Sequence, residues 1–136
     1  MRYSFGLLKP DCLERNLVEE AFKLIQMRGL DIIYSRQIRL NKKDVEFLYD
    51  RCRQNSFFES LVDFMTSGNV IIYLVKSSNI NDDAIRILNS VVGFTDPSGA
   101  KPNTLRSLGE NVCRNIAHST TNEETFWSEV KYFISN

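Results

Sequence analysis

"VIIYLV", Val70–Val75, is an unbroken apolar run dominated by β-branched residues, bounded before by "SGN" and after by "KSSN". A run of this length between turn signals reads as the clearest strand in the sequence. Helical patterns flank it, to cover one or both faces of a sheet. Downstream, "NDDAIRILNSVV" places Ala84, Ile87, Leu88 and Val91 on one helical face, with acids near the positive N-terminus and Gly93 as the stop. Upstream, "SFFESLVDFM" repeats a helical stripe with Phe57, Leu61, Phe64 and Met65, and "NKKDVEFLYDRC" does so with Val45, Leu48 and Tyr49 behind Asn41 and Asp44, which suit an N-cap and first turn. These two units make a helical hairpin.

Further out, "LDIIYSRQIRL" is isoleucine-rich and partly alternating, which predicts a second long strand, antiparallel to a neighbour. A helix from Leu17 to about Arg28, with Leu17, Ala21, Leu24 and Ile25 in register, precedes it and stops at Gly29. The first strand is "YSFGLL"; "KPD" ends it, and a loop carrying Lys9 at the strand's carboxyl end is expected. From Gly93 to Asn115 runs a long aperiodic stretch with two prolines and three glycines, which reads as functional. "NIAH" is a short strand, and Thr121 with Glu124 forms the capping box of a last helix whose stripe is Phe126, Trp127, Val130, Phe133 and Ile134. The order β-α-β-(αα)-β-α-loop-β-α predicts an α+β fold: a ferredoxin-like, split βαβ sandwich with four mainly antiparallel strands covered by helices.

The 136 residues fit one domain, 1–136, able to bury roughly two thirds of its unfolded surface. Seventeen basic and seventeen acidic residues cancel, so the broad positive field of nucleic-acid or membrane binders is missing and any anion site is local. The strand-borne aromatic signature of a ferredoxin-like RNA binder is also missing. Cys12, Cys52 and Cys113 are odd in number and widely spaced, against a disulfide framework and against a zinc site. With an N-terminal apolar run too short for a signal peptide or a membrane span, the reading is a cytoplasmic protein in a reducing compartment.

Neither of the common glycine-rich phosphate cradles occurs, so a phosphate site must use side chains. Lys9, Thr95, Lys101, Thr104, Arg106, Arg114, Asn115 and Thr120 are the cationic and donor groups available around the long loop, and the expectation is a phosphate pocket near the one histidine, His118. On composition alone that histidine is open between a satisfied structural imidazole and a nucleophile, whose lone pair is available at an ordinary pKa of about 6.5. A metal site lacks a ligand cluster.

"GLLKPD", "YDRCRQNSFFESLVDFMTSG", "GFTDPSGAKPNTLRS" and "RNIAHST" occur in that order over nearly the whole chain. Together they resemble the nucleoside diphosphate kinase family in its K-P-D, F-F-x-x-L, S-G, G-x-T-x-P, P-x-T-[IL]-R and R-N-x-x-H elements. The resemblance implies a ping-pong phosphotransferase: a nucleoside triphosphate, bound with Mg2+, gives its γ-phosphoryl group to His118, and a nucleoside diphosphate collects it. No protein metal site is implied, since the phosphates hold the ion. It further implies that Glu129 hydrogen-bonds the other ring nitrogen, that Lys9 and Tyr49 lie beside the phosphates and nucleophile, and that Thr95 and Arg106 contact phosphate. Phe57 and Val112 would hold the base with Leu61 lining the slot, Asn115 would bond the sugar with Lys9, and Thr120 would stand for a family serine.

The departures from the family pattern are equally specific. Asn89 replaces an arginine, with Arg86 one helical turn earlier as a displaced substitute. Asn103 and Ser107 stand where the family has P-G-T and R-G, and the stretch from Arg106 to Asn115 is one residue short. Ser119 replaces a glycine, which would be strained if the position required positive φ, and Thr121 an aspartate. Since the altered loop and the missing C-terminal tail help build the family's hexamers and tetramers, the expectation is a homo-oligomer for which a dimer is better supported than a tetramer or hexamer. The departures also define an alternative function: a catalytically weakened kinase-like module that binds nucleotide or serves assembly.

Overall fold

The computed structural model describes residues 1–93, 99, 104–110 and 114–134. Four strands form one sheet: β1 (Tyr3–Leu8), β2 (Leu30–Arg39), β3 (Asn69–Ser77) and β4 (Ala117–Ser119), in spatial order β2-β3-β1-β4. All three pairings are antiparallel. The central strand β3 contains the Val70–Val75 run, and it is buried on both faces because alternate residues enter two separate apolar layers. Tyr73 and Val75 join one; Val70 and Ile72 join the other.

The first layer lies under α1 (Pro10–Glu14), α2 (Val18–Met27) and α5 (Ala84–Val92); the second lies under α3 (Lys42–Leu48), α4 (Phe58–Met65) and α6 (Glu123–Phe133). The ferredoxin-like expectation is met, with helices on both faces. The helix starts follow from their caps. Asn41 and Asp44 form a reciprocal capping box at 3.0 and 2.8 Å, and Asp83 accepts from Ile85 N at 3.1 Å. In β2 the register shifts between Ile32 and Tyr34, a bulge that leaves Ile33 exposed on the long edge strand.

Four expectations need correcting. The residues after β1 are not a loop: Pro10 opens the short helix α1, because a proline at the first helical position forfeits only an N–H that had no partner. Thr121 does not cap α6; Asn122, extended at φ −153°, accepts from Thr125 N at 2.8 Å. Trp127 is exposed, since it sits about 100° around the helix from Phe126, which takes the buried place. The last strand begins at Ala117 rather than Asn115, because Ile116 has φ +78°, a value no strand accommodates.

One close approach fixes the β1–β3 pairing. Gly6 faces Tyr73 across the ladder, and the fully buried Tyr73 ring occupies the space a Cβ on Gly6 would need. We expect Gly6→Ala to lower stability by about 1–3 kcal/mol through overpacking. Combining it with Tyr73→Leu should recover part of that loss, as read from denaturant midpoints; equal losses in both backgrounds would rule out this contact as the cause.

Candidate functional site

β4 is three residues long and pairs with β1 alone, Leu7 opposite His118. Its position depends on what happens at the carboxyl end of β1. There Lys9 N donates to Ile116 O at 2.8 Å, and Ile116 N donates to the buried Asp11 carboxylate at 3.1 Å. Ala117 N closes back on Asn115 O at 2.9 Å. With φ +78° at the central residue, Asn115–Ala117 is a γ-turn of the rare positive-φ kind, costly for a β-branched side chain. "KPD" therefore does more than end a strand: Asp11 grips the turn that aims β4. Sequence reading gave Asp11 no such role, and its only signal was its place two residues after Lys9.

The turn sets two of the candidate side chains, Asn115 and His118. Asn115, buried, accepts a 2.6 Å hydrogen bond from Lys9 Nζ, and the Lys9 ammonium also lies 5.7 Å from the centre of the Tyr49 ring. A lysine only 2 % exposed requires such partners. The His118 ring meets the same tyrosine edge-on at 5.8 Å. Tyr49 is thus the shared neighbour of the cation and the imidazole. On the other side of the imidazole, Nε2 is 2.9 Å from Glu129 Oε2, while Thr120 Oγ donates to Glu129 Oε1 at 2.5 Å. Both carboxylate oxygens are engaged, and Glu129 and Thr120 are buried.

Arg106 approaches from behind β4. Its Nε donates to Ala117 O at 3.2 Å and its Nη1 to Gly93 O at 3.1 Å; burial lowers its pKa from the ordinary guanidinium value, with no loss of charge near neutrality. Gly93, at φ +93°, packs so tightly on Thr104 that a side chain there would collide with it. Leu61 is buried in the apolar layer under α4, whereas Phe57, at the start of that helix, is 42 % exposed and presents a ring to solvent. Arg114 is drawn to Glu14 at 3.8 Å and lies over the Phe64 ring at 4.6 Å. Arg86 is exposed on α5. Thr95 and Val112, with Lys101 and Asn103, lie outside the described residues. His118 lines a cleft of 350 Å³ with Arg51, Asn122 and Glu129.

Lys9, Tyr49, Asn115, His118, Thr120 and Glu129, scattered over the sequence, thus form one linked group. A family model described as nucleoside diphosphate kinase matches residues 2–136. The chain belongs to the nucleoside diphosphate kinase family. It is 35 % identical to the nucleoside diphosphate kinase of Rickettsia prowazekii (strain Madrid E) over 99 % of this chain and 94 % of that one. The nucleoside diphosphate kinase structure from Encephalitozoon cuniculi superimposes with a TM-score of 0.91 at 26 % identity, covering 100 % of this chain and 90 % of that one. The Halobacterium salinarum nucleoside diphosphate kinase, solved in complex with CDP, gives 0.89 at 26 % identity, covering 98 % and 88 %. As a nucleoside diphosphate kinase, the chain transfers phosphate between nucleotides.

Asp11 offers a test of how the site is held. Burial pushes its carboxyl above the usual carboxylate range, outweighing the Ile116 N–H and the Lys9 charge, which both pull it down. A raised acid pKa in the fold means that the folded state holds the proton longer. Stability therefore falls as pH rises from the ordinary value of 3.8 through the raised one, and levels off above it. In Asp11→Asn this dependence should vanish while the acceptor for Ile116 N is kept. Asp11→Ala leaves that N–H unsatisfied and should cost about 1–3 kcal/mol in urea unfolding; a loss no larger than that of Asp11→Asn would deny Asp11 its grip on the turn.

Proposed function

We propose that His118 is the phosphate carrier and that the reaction runs as two half-reactions through phosphohistidine. The observation that carries this reading is the Nε2–Glu129 contact at 2.9 Å, with Thr120 holding the second carboxylate oxygen. An ionised Glu129 accepts from Nε2–H, which leaves the lone pair of the neutral ring on Nδ1. Nδ1 attacks the γ-phosphorus, the bond to the β–γ bridging oxygen breaks, and the nucleoside diphosphate leaves with that electron pair. The positive charge that develops on the ring is balanced by Glu129 through the existing hydrogen bond. The second half-reaction reverses these steps with another nucleoside diphosphate.

Phosphoryl transfer asks for positioning and charge neutralisation. Lys9 and Arg106 supply the cations, Arg106 with a fork suited to phosphate oxygens. Tyr49 packs against both Lys9 and His118, which supports its place beside the nucleophile. Asn115, bound to Lys9, is the sugar contact, and Thr120 the hydroxyl that fixes Glu129. Phe57 stacks on the base from its exposed position, with Leu61 below it; Val112 is the opposing contact and Thr95 a further phosphate ligand. Glu129 is committed to His118 and Thr120 and Asp11 to Ile116 N, so magnesium would enter on the nucleotide's phosphates, where it would neutralise charge. The substrates are nucleoside di- and triphosphates, and the CDP complex of the Halobacterium salinarum relative supports a site open to pyrimidines. We also infer one domain over 1–136, a homodimer and a cytoplasmic location; none of the described helices is long and apolar enough to cross a membrane.

One observation favours a second reading, nucleotide binding with slow transfer: Asn89 offers no charge where the family pattern has a cation. Incubation with magnesium and γ-labelled ATP decides between them. The expected product is an acid-labile, alkali-stable phosphoenzyme discharged by added nucleoside diphosphate and missing in His118→Ala. Stabilisation by nucleotide without any label would support the binding module, and label persisting in His118→Ala would remove His118 as the carrier. Arg106→Ala should lower the rate on the order of a hundredfold if it meets the transferred phosphoryl group.

A further inference from the structure

Ser119 and Asn89, which the family comparison treats as two separate departures, touch each other. Ser119 Oγ donates to Asn89 Oδ1 at 2.6 Å, with the serine buried and the asparagine half-buried on the last turns of α5. A glycine at 119 has no hydroxyl to give, and an arginine at 89 has no acceptor to receive it. The two residues therefore make sense only together. Ser119 lies in the strand rather than at positive φ; among the described non-glycine residues only Asn16 and Ile116 have positive φ.

The bond closes a ring around the histidine. Asn89 O accepts from Gly93 N at 3.0 Å, Gly93 O accepts from Arg106 Nη1 at 3.1 Å, and Arg106 Nε donates to Ala117 O at 3.2 Å. Ala117 and Ser119 are the residues on either side of His118. β4 is an edge strand with only three ladder positions, so its backbone gets little from the sheet and is gripped instead from the carboxyl end of α5. The grip before His118 runs through Arg106, and the grip after it runs through Asn89.

We infer that Ser119 and Asn89 are a coupled positioning pair, which fixes the His118 backbone relative to the Arg106 guanidinium. The inference rests on the reading of His118 as phosphate carrier. Its chemistry is alignment: a histidine free to shift by a fraction of an ångström loses in-line geometry to the phosphorus, and such misplacement costs rate at saturating nucleotide rather than affinity.

The test measures the single-turnover rate of enzyme phosphorylation from magnesium and γ-labelled ATP, over a range of nucleotide concentrations. The proteins are the parent, Ser119→Ala, Asn89→Ala, the double variant and Ser119→Thr. Ser119→Ala and Asn89→Ala should each slow the saturating rate by about tenfold to a hundredfold with half-saturation little changed. The double variant should be no slower than the slower single, because both remove one bond. Ser119→Thr, which keeps the hydroxyl, should recover most of the rate. Losses that multiply in the double variant, or that appear only as weaker half-saturation, would overturn the proposal. So would variants that unfold at lower urea yet keep the parent rate per folded molecule, since that is a merely structural bond. Asn89→Ala, at a half-exposed position, carries the test if Ser119→Ala does not fold. A parent that takes no label overturns the phosphohistidine reading and this inference with it, whereas a labelled parent with unchanged variants overturns this inference alone.

Discussion

Everything at the site depends on a turn that the chain would not adopt by itself. Holding Ile116 at φ +78° costs on the order of 1–3 kcal/mol for a branched side chain. Two buried hydrogen bonds to the end of β1 hold it there, Lys9 N to Ile116 O and Ile116 N to the Asp11 carboxylate. The turn reverses direction within three residues. It thereby presents Asn115 to Lys9 and brings His118 into the ladder opposite Leu7. A relaxed loop between Asn115 and Ala117 would leave Lys9 without Asn115 and would disturb the register of β4.

The second constraint is charge. A neutral chain provides no broad field to concentrate polyanionic substrates, so attraction has to come from individual groups held in dry surroundings, where Coulomb interactions are least screened. Lys9 is buried and Arg106 half-buried; the Asn115 amide oxygen accepts from Lys9, and the Ala117 and Gly93 carbonyls accept from Arg106. An amide or carbonyl oxygen orients a cation and leaves its charge intact. The Asp11 carboxyl also feels the Lys9 charge, whereas the Glu129 carboxylate faces the imidazole.

The architecture was legible because it follows from periodicity. The Val70–Val75 run, the two stripes before it and the amphipathic pattern after it locate β3, α3, α4 and α5 without reference to distant contacts. Errors arose where a local pattern has more than one solution. Pro10 is compatible with a loop or a helix start, and Thr121 and Asn122 are both capable caps, so tertiary placement decided. The site divides in the same way. His118, Lys9, Tyr49, Asn115, Thr120 and Glu129 were found through motif resemblance, and the structure brings these six together. Asp11 and the Ile116 turn were not found, because a backbone N–H bound to a carboxylate 105 residues away leaves no periodic trace.

The departures from the family pattern show the same limit from another direction. Read along the sequence, Asn89 is a lost cation and Ser119 a lost glycine, two defects 30 positions apart. In space each answers the other, since the hydroxyl that replaces a hydrogen finds at 89 a side chain that can accept it without bringing in a charge. Gly6 and Tyr73 are matched likewise, one side chain reduced to a hydrogen where the other needs its volume. Close packing and buried hydrogen bonding constrain pairs rather than positions. A substitution in such an interior is therefore to be judged against the residue it touches, and by that standard the histidine of this chain sits in a changed but complete frame.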